Sequence, residues 1–148
     1  MCCWGERGQQ NEALGRSSGG FSSKLHALVD GLGNPLRFIL TPGATHDITQ
    51  AHELLQGIKG ENILGDRAYD AESLLQLIAQ MKAQAVIPPR RNRKQHREYD
   101  KVVYQERHLI ECFFNKLKYY RRVFSRFDKR GNNYLAFVYF ASSLIWLR

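Results

Sequence analysis

The sequence predicts an α/β fold in which helices flank a mixed β-sheet. Some segments alternate apolar and polar residues as half-buried strands do, whereas others repeat apolar residues at helical spacing. These segments follow one another in the order strand, strand, helix, strand, helix, strand, helix, which favours a sheet covered by helices. With 148 residues, of which 43% are hydrophobic, the chain is long enough to form one domain with its own core.

The first two predicted strands form a hairpin. Phe21–Val29 alternates apolar and polar residues, Asp30 begins a turn rich in Gly, and Leu36–Leu40 returns as the second strand. Residues 1–20 are rich in Gly, Ser and other polar residues and show no strand pattern. We therefore predict an irregular N-terminal remnant over residues 1–20 and the folded domain over residues 21–148.

Helices and short strands alternate in the middle of the chain. Asp47 is predicted to cap the first helix, with Gln50 as its capping-box partner. A short apolar run ending at Leu64 predicts a buried strand that carries Asp66 at its end. Ala71–Lys82 repeats apolar residues at helical spacing and predicts the second helix.

The last part of the chain is predicted to be mostly helical. A strand over Ala85–Ile87 ends at two prolines, because proline cannot donate a hydrogen bond to a ladder. Arg90–Tyr99 is polar and basic and predicts a loop, and a helix is predicted from about Tyr104 to Tyr120. Tyr134–Leu147 is an almost continuous apolar run that predicts a buried helix too short to span a membrane.

One stripe of the predicted Tyr104–Tyr120 helix carries Tyr104, Arg107, Glu111 and Lys118. At about 100° per residue this stripe is roughly 60° wide. The opposite side carries four apolar residues, Leu109, Ile110, Phe113 and Leu117. Such a helix buries its apolar side and presents a carboxylate flanked by cations. Taken alone, the pattern is also typical of a solvated amphipathic helix.

Asp66 and Glu111 together predict a metal site. A carboxylate at the end of a central strand, joined by one from a helix, is a common ligand arrangement in metal-dependent phosphoryl transfer. Two Mg²⁺ ions about 3.5–4 Å apart need acidic oxygens from separate elements, because adjacent residues cannot converge on one point.

These residues resemble the insertion-sequence transposases of the DDE type. The spacing of the four-residue stripe reproduces that family's C-terminal signature without a gap or a substitution. Asp66 with Tyr69 resembles the family's second-carboxylate motif. Further matches lie in Gly15–His26, His46–Asp47 and Ile87–Arg90, so the resemblance covers nearly the whole chain from about residue 12 onward.

The resemblance implies an RNase H-like fold and an acidic triad that binds Mg²⁺ or Mn²⁺ as a two-metal site. Asp66 and Glu111 match the second and third catalytic ligands. Lys118 and Arg107 match supporting residues that could contact DNA phosphate, and Tyr104 matches one that orients the backbone near the site. The implied activity is cleavage of DNA strands at the ends of an insertion sequence and their transfer to a target.

The first catalytic Asp of this family lies on a strand upstream of the segment that Gly15–His26 resembles. In this sequence no Asp precedes Asp30, which is predicted to lie in a turn. We therefore expect residues 21–148 to form a partial catalytic domain that lacks its first strand. Such a chain would be inactive alone, and on one hypothesis an upstream transposase half, encoded in another reading frame, would supply the missing Asp.

Positive charge is concentrated in residues 90–148, which hold 15 of the 22 Lys and Arg residues and only 5 of the 14 Asp and Glu residues. This asymmetry predicts a polyanionic partner, and the resemblance implies DNA. The candidate DNA-binding residues are Arg90, Arg91, Arg93, Lys94, Arg97, Arg121 and Arg122. A second basic cluster consists of Lys116, Lys118, Arg121, Arg122, Arg126, Lys129 and Arg130. The aromatic residues Tyr119, Tyr120, Phe124 and Phe127 lie within it and would either stack on unpaired bases or pack in the core.

The three cysteines include no CxxC pair, so neither a zinc site nor a disulfide framework is predicted. Without a secretory signal, the chain is expected in the bacterial cytoplasm, associated with DNA and not with a membrane. Three hypotheses remain: part of a transposase that works with its upstream half or as a homo-oligomer, an inactive remnant, and a non-catalytic DNA-binding protein.

Overall fold

The computed structural model describes residues 13, 15–17, 20–93, 97–126, 128 and 130–147. The chain divides into two compact units, residues 1–45 with 109–148 (unit 1) and residues 46–108 (unit 2). The predicted α/β class is confirmed. The described strands form two sheets, one antiparallel and one parallel, and the RNase H-like mixed sheet stays a prediction.

The described strands are β1 (Gly15–Ser17), β2 (Gly20–Val29), β3 (Pro35–Pro42), β4 (Asn62–Leu64) and β5 (Gln84–Val86). The described helices are α1 (Asp47–Leu55), α2 (Glu72–Gln80), α3 (Lys101–Gln105), α4 (His108–Lys118), α5 (Arg121–Phe124) and α6 (Gly131–Trp146). In unit 1, β1, β2 and β3 form an antiparallel sheet in that order. In unit 2, β4 and β5 form a parallel pair.

Asp30 closes the hairpin between β2 and β3, as predicted. Its Oδ1 accepts hydrogen bonds from the backbone N–H groups of Leu32 and Asn34, both at 2.8 Å. Burial acts to raise the pKa of Asp30, but these hydrogen bonds outweigh it and hold the pKa below the usual value. Gly33 has a φ of +82°, which glycine adopts without the steric cost of a side chain.

β1 lies within residues 1–20, which were predicted to be irregular. It pairs with β2, and a Cβ atom on Gly15 would lie 2.8 Å from the Cβ atom of Pro42. The absence of a side chain at Gly15 therefore permits this close approach to β3. The prediction is wrong for β1, whose three residues are too few to show an alternating pattern, and residues 1–12 lie outside the described residues.

The core of unit 1 combines residues of β3, α4, α5 and α6. Its buried members are Phe38, Phe113, Leu117, Val123, Tyr134, Val138 and Ala141. Phe38 stacks on Phe113 with 5.7 Å between ring centroids and meets Tyr139 edge to face at 5.1 Å. The predicted core-facing side of α4 is thus confirmed at Phe113 and Leu117, and its other two apolar residues are half-buried.

In unit 2, α1, α2 and β5 contribute the buried apolar side chains. These are Ala51, Leu54, Leu55, Leu74, Ile78 and Val86, together with Ile87 directly after β5. The prediction that Asp47 caps α1 is wrong, because His46 holds the N-cap position and makes no side-chain capping bond. Asp47 lies in the first helical turn, where the helix dipole also favours a carboxylate.

The single helix predicted from Tyr104 to Tyr120 is also wrong. Glu106 and Arg107 separate α3 from α4, and their N–H groups bond to carbonyls three residues back, the tighter spacing of a 3₁₀ turn. Tyr104 and Arg107 therefore do not share one helix with Glu111. No Gly or Pro marks the interruption in the sequence, and the apolar residues continue at helical spacing across it, so the sequence did not predict the break.

α6 agrees closely with the predicted Tyr134–Leu147 helix but is buried on one side only. Val138 and Ala141 are buried, whereas Phe140 and Trp146 are exposed. Among the described residues, none of the helices combines the length and the apolar character that crossing a membrane requires.

Candidate active site

Asp66 lies just beyond the carboxyl end of β4, as predicted. Because β4 and β5 are parallel, their carboxyl ends share one edge of the sheet. The N–H of Gly65 still donates to the carbonyl of Val86, at 3.4 Å. The exposed Asp66 then accepts the N–H of Ala68 on Oδ1 at 2.8 Å and caps a 3₁₀ turn over Arg67–Tyr69. Asp66 is therefore a solvent-facing carboxylate with one oxygen held by its own turn.

Tyr69 packs close to the start of this turn. A Cβ atom on Gly65 would lie 3.3 Å from the Cβ atom of Tyr69 and 3.4 Å from Cγ1 of Ile87, so glycine makes room for the ring. Burial, followed by the negative charges of Asp47 and Asp66, raises the pKa of Tyr69 to about 12. Loss of the Tyr69 hydroxyl proton is therefore opposed both by burial and by two nearby carboxylates.

A second carboxylate, Asp70, ends the same turn and is buried. Its side chain is only 1% exposed and forms an ion pair with Arg93. Asp70 Oδ2 accepts the backbone N–H of Arg90 at 2.7 Å, and Asp70 Oδ1 lies 3.8 Å from Nη2 of Arg97. Arg93 also pairs with Glu72 at 2.6 Å. Three arginines predicted to contact DNA thus bind groups of this chain.

Two further residues of the predicted Arg90–Tyr99 loop, Arg91 and Lys94, were also predicted to contact DNA. Arg91 is exposed, and Lys94 lies outside the described residues. Asp70 was missed by the sequence analysis. Its only signal in the sequence is the cluster of arginines that begins 20 residues later, and no local period connects the two.

Tyr104 and Arg107 contact each other within unit 2. The guanidinium carbon of Arg107 lies 5.9 Å from the centroid of the Tyr104 ring, within range of a cation–π interaction. Tyr104 also contacts Tyr99, whose ring meets it edge to face at 5.4 Å. Asp100 caps α3 by accepting two backbone N–H groups of its first turn. Aromatic contacts and a helix cap therefore position this pair.

Glu111 and Lys118 lie on α4, in unit 1, and both are exposed. They are seven residues apart, about two helical turns, and so share one face. The opposite face anchors α4 through Phe113 and Leu117. The helix dipole favours a carboxylate in the first turn and a cation in the last, which are the positions of Glu111 and Lys118.

The second basic cluster surrounds the turn between α4 and α5. Its exposed cations include Lys116, Lys118, Arg121 and Arg122. The structure divides the aromatic residues of this region, since Tyr120 packs against the core, whereas Tyr119 is 88% and Phe124 67% exposed. Phe127 lies outside the described residues. Two aromatic side chains are therefore open to solvent among the cations.

The predicted site residues are distributed over both units. Asp66, Tyr104 and Arg107 belong to unit 2, and Glu111 and Lys118 belong to unit 1. In the part of the chain that the structure describes, no three His, Cys, Asp or Glu residues are grouped as a metal site would require.

The comparison with protein families identifies the chain. The family described as "Transposase DDE domain" matches residues 4–144. The chain belongs to this family. Both Asp66 and Glu111 fall inside the matched region, and the resemblance seen in the sequence is confirmed. The predicted boundary between a remnant and a catalytic domain at residue 21 stays a prediction.

Two relatives support membership of the transposase family. The chain is 46% identical over 129 residues to a Brucella ovis protein described as a candidate transposase for insertion sequence element IS6501, and the match covers 86% of this chain and 99% of that protein. It is 28% identical over 135 residues to a Burkholderia cepacia protein described as a candidate transposase for insertion sequence element IS402, covering 83% and 62% of the two chains. No solved structure matches the chain.

Proposed function

We propose that this chain supplies two acidic metal ligands, Asp66 and Glu111, to a DDE transposase that cuts DNA at the ends of an insertion sequence and joins them to a target. One observation carries the proposal: in a chain of this family, Asp66 is an exposed carboxylate at the carboxyl end of a parallel strand, capped by its own turn. Glu111, exposed in the first turn of α4, supports it from a second element.

The donor chemistry of these residues fits Mg²⁺ or Mn²⁺. Mg²⁺ prefers oxygen ligands and is commonly held by one or two carboxylates, with substrate phosphates and water completing its shell. Asp66 and Glu111 both offer exposed carboxylates. When bound as a pair, such ions activate water or a DNA 3′-hydroxyl and stabilise the displaced oxygen. Asp66 and Glu111 would hold the ions, and cations of the chain would align the DNA phosphate.

Lys118 has the clearest supporting role on this proposal. It lies on the same face of α4 as Glu111, where its ammonium group would bind a DNA phosphate close to the metal ligand. Arg107 would contact phosphate as well, held in place by the ring of Tyr104. Tyr104 itself would orient the backbone that leads into α4.

DNA binding is assigned to the exposed cations Arg91, Arg121 and Arg122. The exposed rings of Tyr119 and Phe124 would add stacking on unpaired bases, which is worth about 1–3 kcal/mol per base. The predicted contacts of Arg93, Lys94 and Arg97 with DNA stay predictions.

In the complete enzyme we propose an RNase H-like arrangement with three acidic ligands. Two are assigned in this sequence, so the chain alone is expected to bind metal and DNA without cutting. A third carboxylate would come from another segment, and the working assembly would be a homo-oligomer or a complex with an upstream transposase half. The substrate is DNA of the bacterial cytoplasm.

Metal binding and DNA binding by the purified full chain test this proposal. Mn²⁺ binding is measured by electron paramagnetic resonance in the wild type, Asp66→Asn and Glu111→Gln, with the exposed Glu53→Gln as the matched control. DNA affinity is measured in chelator over a range of salt concentrations. We expect Mn²⁺ binding to weaken in the two site variants but not in the control, and DNA affinity to fall as salt rises.

Other outcomes favour other functions. Salt-sensitive DNA binding with Mn²⁺ binding unaffected by either site variant would make the chain a non-catalytic DNA-binding protein. A folded chain that binds neither Mn²⁺ nor DNA would be an inactive remnant. Cleavage of DNA by the isolated chain, abolished in Glu111→Gln, would overturn the requirement for a third ligand from elsewhere.

A further inference from the structure

Arg90 is bonded to the turn that follows Asp66. Its Nη2 donates to the carbonyl of Ala68 at 2.8 Å, and its Nε donates to the carbonyl of Arg67 at 3.3 Å. The N–H of the same Ala68 donates to Oδ1 of Asp66 at 2.8 Å. The peptide unit that joins Arg67 to Ala68 therefore lies between the guanidinium group of Arg90 and the carboxylate of Asp66, because its carbonyl binds Arg90 and its N–H binds Asp66.

Asp70 and Arg93 hold Arg90 in this position. Asp70 accepts the backbone N–H of Arg90 on Oδ2 at 2.7 Å, and its other oxygen pairs with Arg93. The backbone N–H of Arg93 donates to the carbonyl of Arg90 at 3.0 Å. Asp70 also belongs to the turn, because its N–H donates to the carbonyl of Arg67. Arg90 is thus bonded to both the first and the last residue of the turn, Arg67 and Asp70.

The parallel pairing of β4 and β5 explains why these two segments meet. The turn follows β4, the loop follows β5, and both strands end at the same edge of the sheet. A guanidinium group donates several hydrogen bonds in a rigid planar fork, so it can bind two successive carbonyls at once. A lysine retains the charge but has no planar fork.

We propose that Arg90, backed by Asp70 and Arg93, is a positioning residue for Asp66 and does not bind DNA. This inference rests on the proposed function, because it gives Asp66 the role of metal ligand. By fixing the Arg67 and Ala68 carbonyls, Arg90 fixes the peptide whose N–H orients the Asp66 carboxylate. Partners that orient a metal ligand in this way typically change metal affinity by about 10–100-fold when removed.

The substitution Arg90→Lys distinguishes positioning from phosphate binding. A lysine preserves a charge for phosphate but cannot bond both carbonyls. We expect Arg90→Lys to weaken Mn²⁺ binding by about tenfold, measured without DNA. We also expect amide hydrogen exchange at Ala68 and Tyr69 to become at least about fivefold faster, because the turn opens more often. Arg91→Lys, at the adjacent exposed arginine, is the matched control and should change neither quantity.

The side chain of Arg90 is exposed, so this variant is expected to fold, and its thermal unfolding transition should stay near that of the wild type. DNA affinity in chelator should not change. Wild-type metal affinity and exchange rates in Arg90→Lys, with DNA binding weakened in Arg90→Ala at least as much as in Arg91→Ala, would overturn the inference and make Arg90 a phosphate contact.

The dependence of Mn²⁺ binding on Asp66 separates failure of this inference from failure of the proposed function. If Asp66→Asn binds Mn²⁺ as tightly as the wild type does, the proposed function fails, and the positioning of a metal ligand fails with it. If Mn²⁺ binding depends on Asp66 but exchange and metal affinity do not respond to Arg90→Lys, only the role of Arg90 is overturned.

Discussion

The two proposed metal ligands are supported in contrasting ways. Glu111 lies on an 11-residue helix whose opposite face is anchored in the core of unit 1. Asp66 follows a three-residue strand, and its turn is bonded to Arg90, 22 residues away from Ala68. The direction of Glu111 is therefore set by apolar packing of its own helix, and that of Asp66 by a few polar contacts between distant segments. Substitutions should affect the two carboxylates through different physical effects.

The largest expected effect is on the Glu111 side. Phe113 is 1% exposed and stacks on Phe38, so Phe113→Ala removes a ring from the core and leaves a cavity. We expect the free energy of unfolding to fall by about 3–5 kcal/mol, measured by urea denaturation. Phe124→Ala, which removes an exposed ring of the same type, should change it by at most about 0.5 kcal/mol. Equal losses would contradict the assignment of Phe113 to the core.

The corresponding prediction for the Asp66 side is smaller and polar in origin. Asp70→Asn keeps the size of the side chain but removes the charge that pairs with Arg93. We expect a loss of about 1–3 kcal/mol in the free energy of unfolding, because the buried Asp70 side chain loses a charge-assisted bond. Glu72→Gln, at the exposed second partner of Arg93, should cost less than about 1 kcal/mol. A greater loss in Glu72→Gln would show that the exposed pair dominates.

The pH dependence of stability tests the environment of Tyr69, which lies in the turn that follows Asp66. The ordinary pKa of tyrosine is 10.0, and in the folded protein the pKa of Tyr69 is raised to about 12. Between these values the unfolded chain releases its proton before the folded one, so stability falls as pH rises from 10 to about 12. Tyr69→Phe should flatten this decline in urea midpoints, and Tyr119→Phe, at an exposed ring, should not. The same decline in Tyr69→Phe would contradict a raised pKa.

The smallest expected effect concerns DNA affinity next to Glu111. If Lys118 neutralises one phosphate, Lys118→Ala should make the log–log dependence of affinity on salt shallower by about 0.9. Lys101→Ala removes an exposed cation of α3 and is the control, for which the slope should remain unchanged. Equal changes in both variants would mean that net charge, and not position on α4, governs binding.

The elements visible in the sequence are those whose signals are local. Phe21–Val29 and Leu36–Leu40 alternate as strands do, and Asp30 marks the turn between them, so the hairpin was predictable. The exposure of Glu111 opposite Phe113 follows from helical periodicity alone. The position of Asp66 beyond a strand was likewise signalled by the apolar run before it.

Family membership could also be predicted from the sequence, because it depends on residue types at fixed spacings. The four-residue signature keeps its spacing whether or not its members share a helix. The interruption at Glu106 and Arg107 therefore left the resemblance intact, although it removed the geometric argument for a single stripe.

The tertiary structure alone decided the partners of the arginines and the division of the strands into two sheets. Nothing in the sequence distinguishes the cluster of Arg90, Arg93 and Arg97 from any other basic cluster. Only the fold brings Asp70 to these arginines. Hydrogen bonds and ion pairs between residues 20 or more positions apart leave no period in the chain. Apolar periodicity records which side of an element is buried, but the fold determines which distant polar groups meet there.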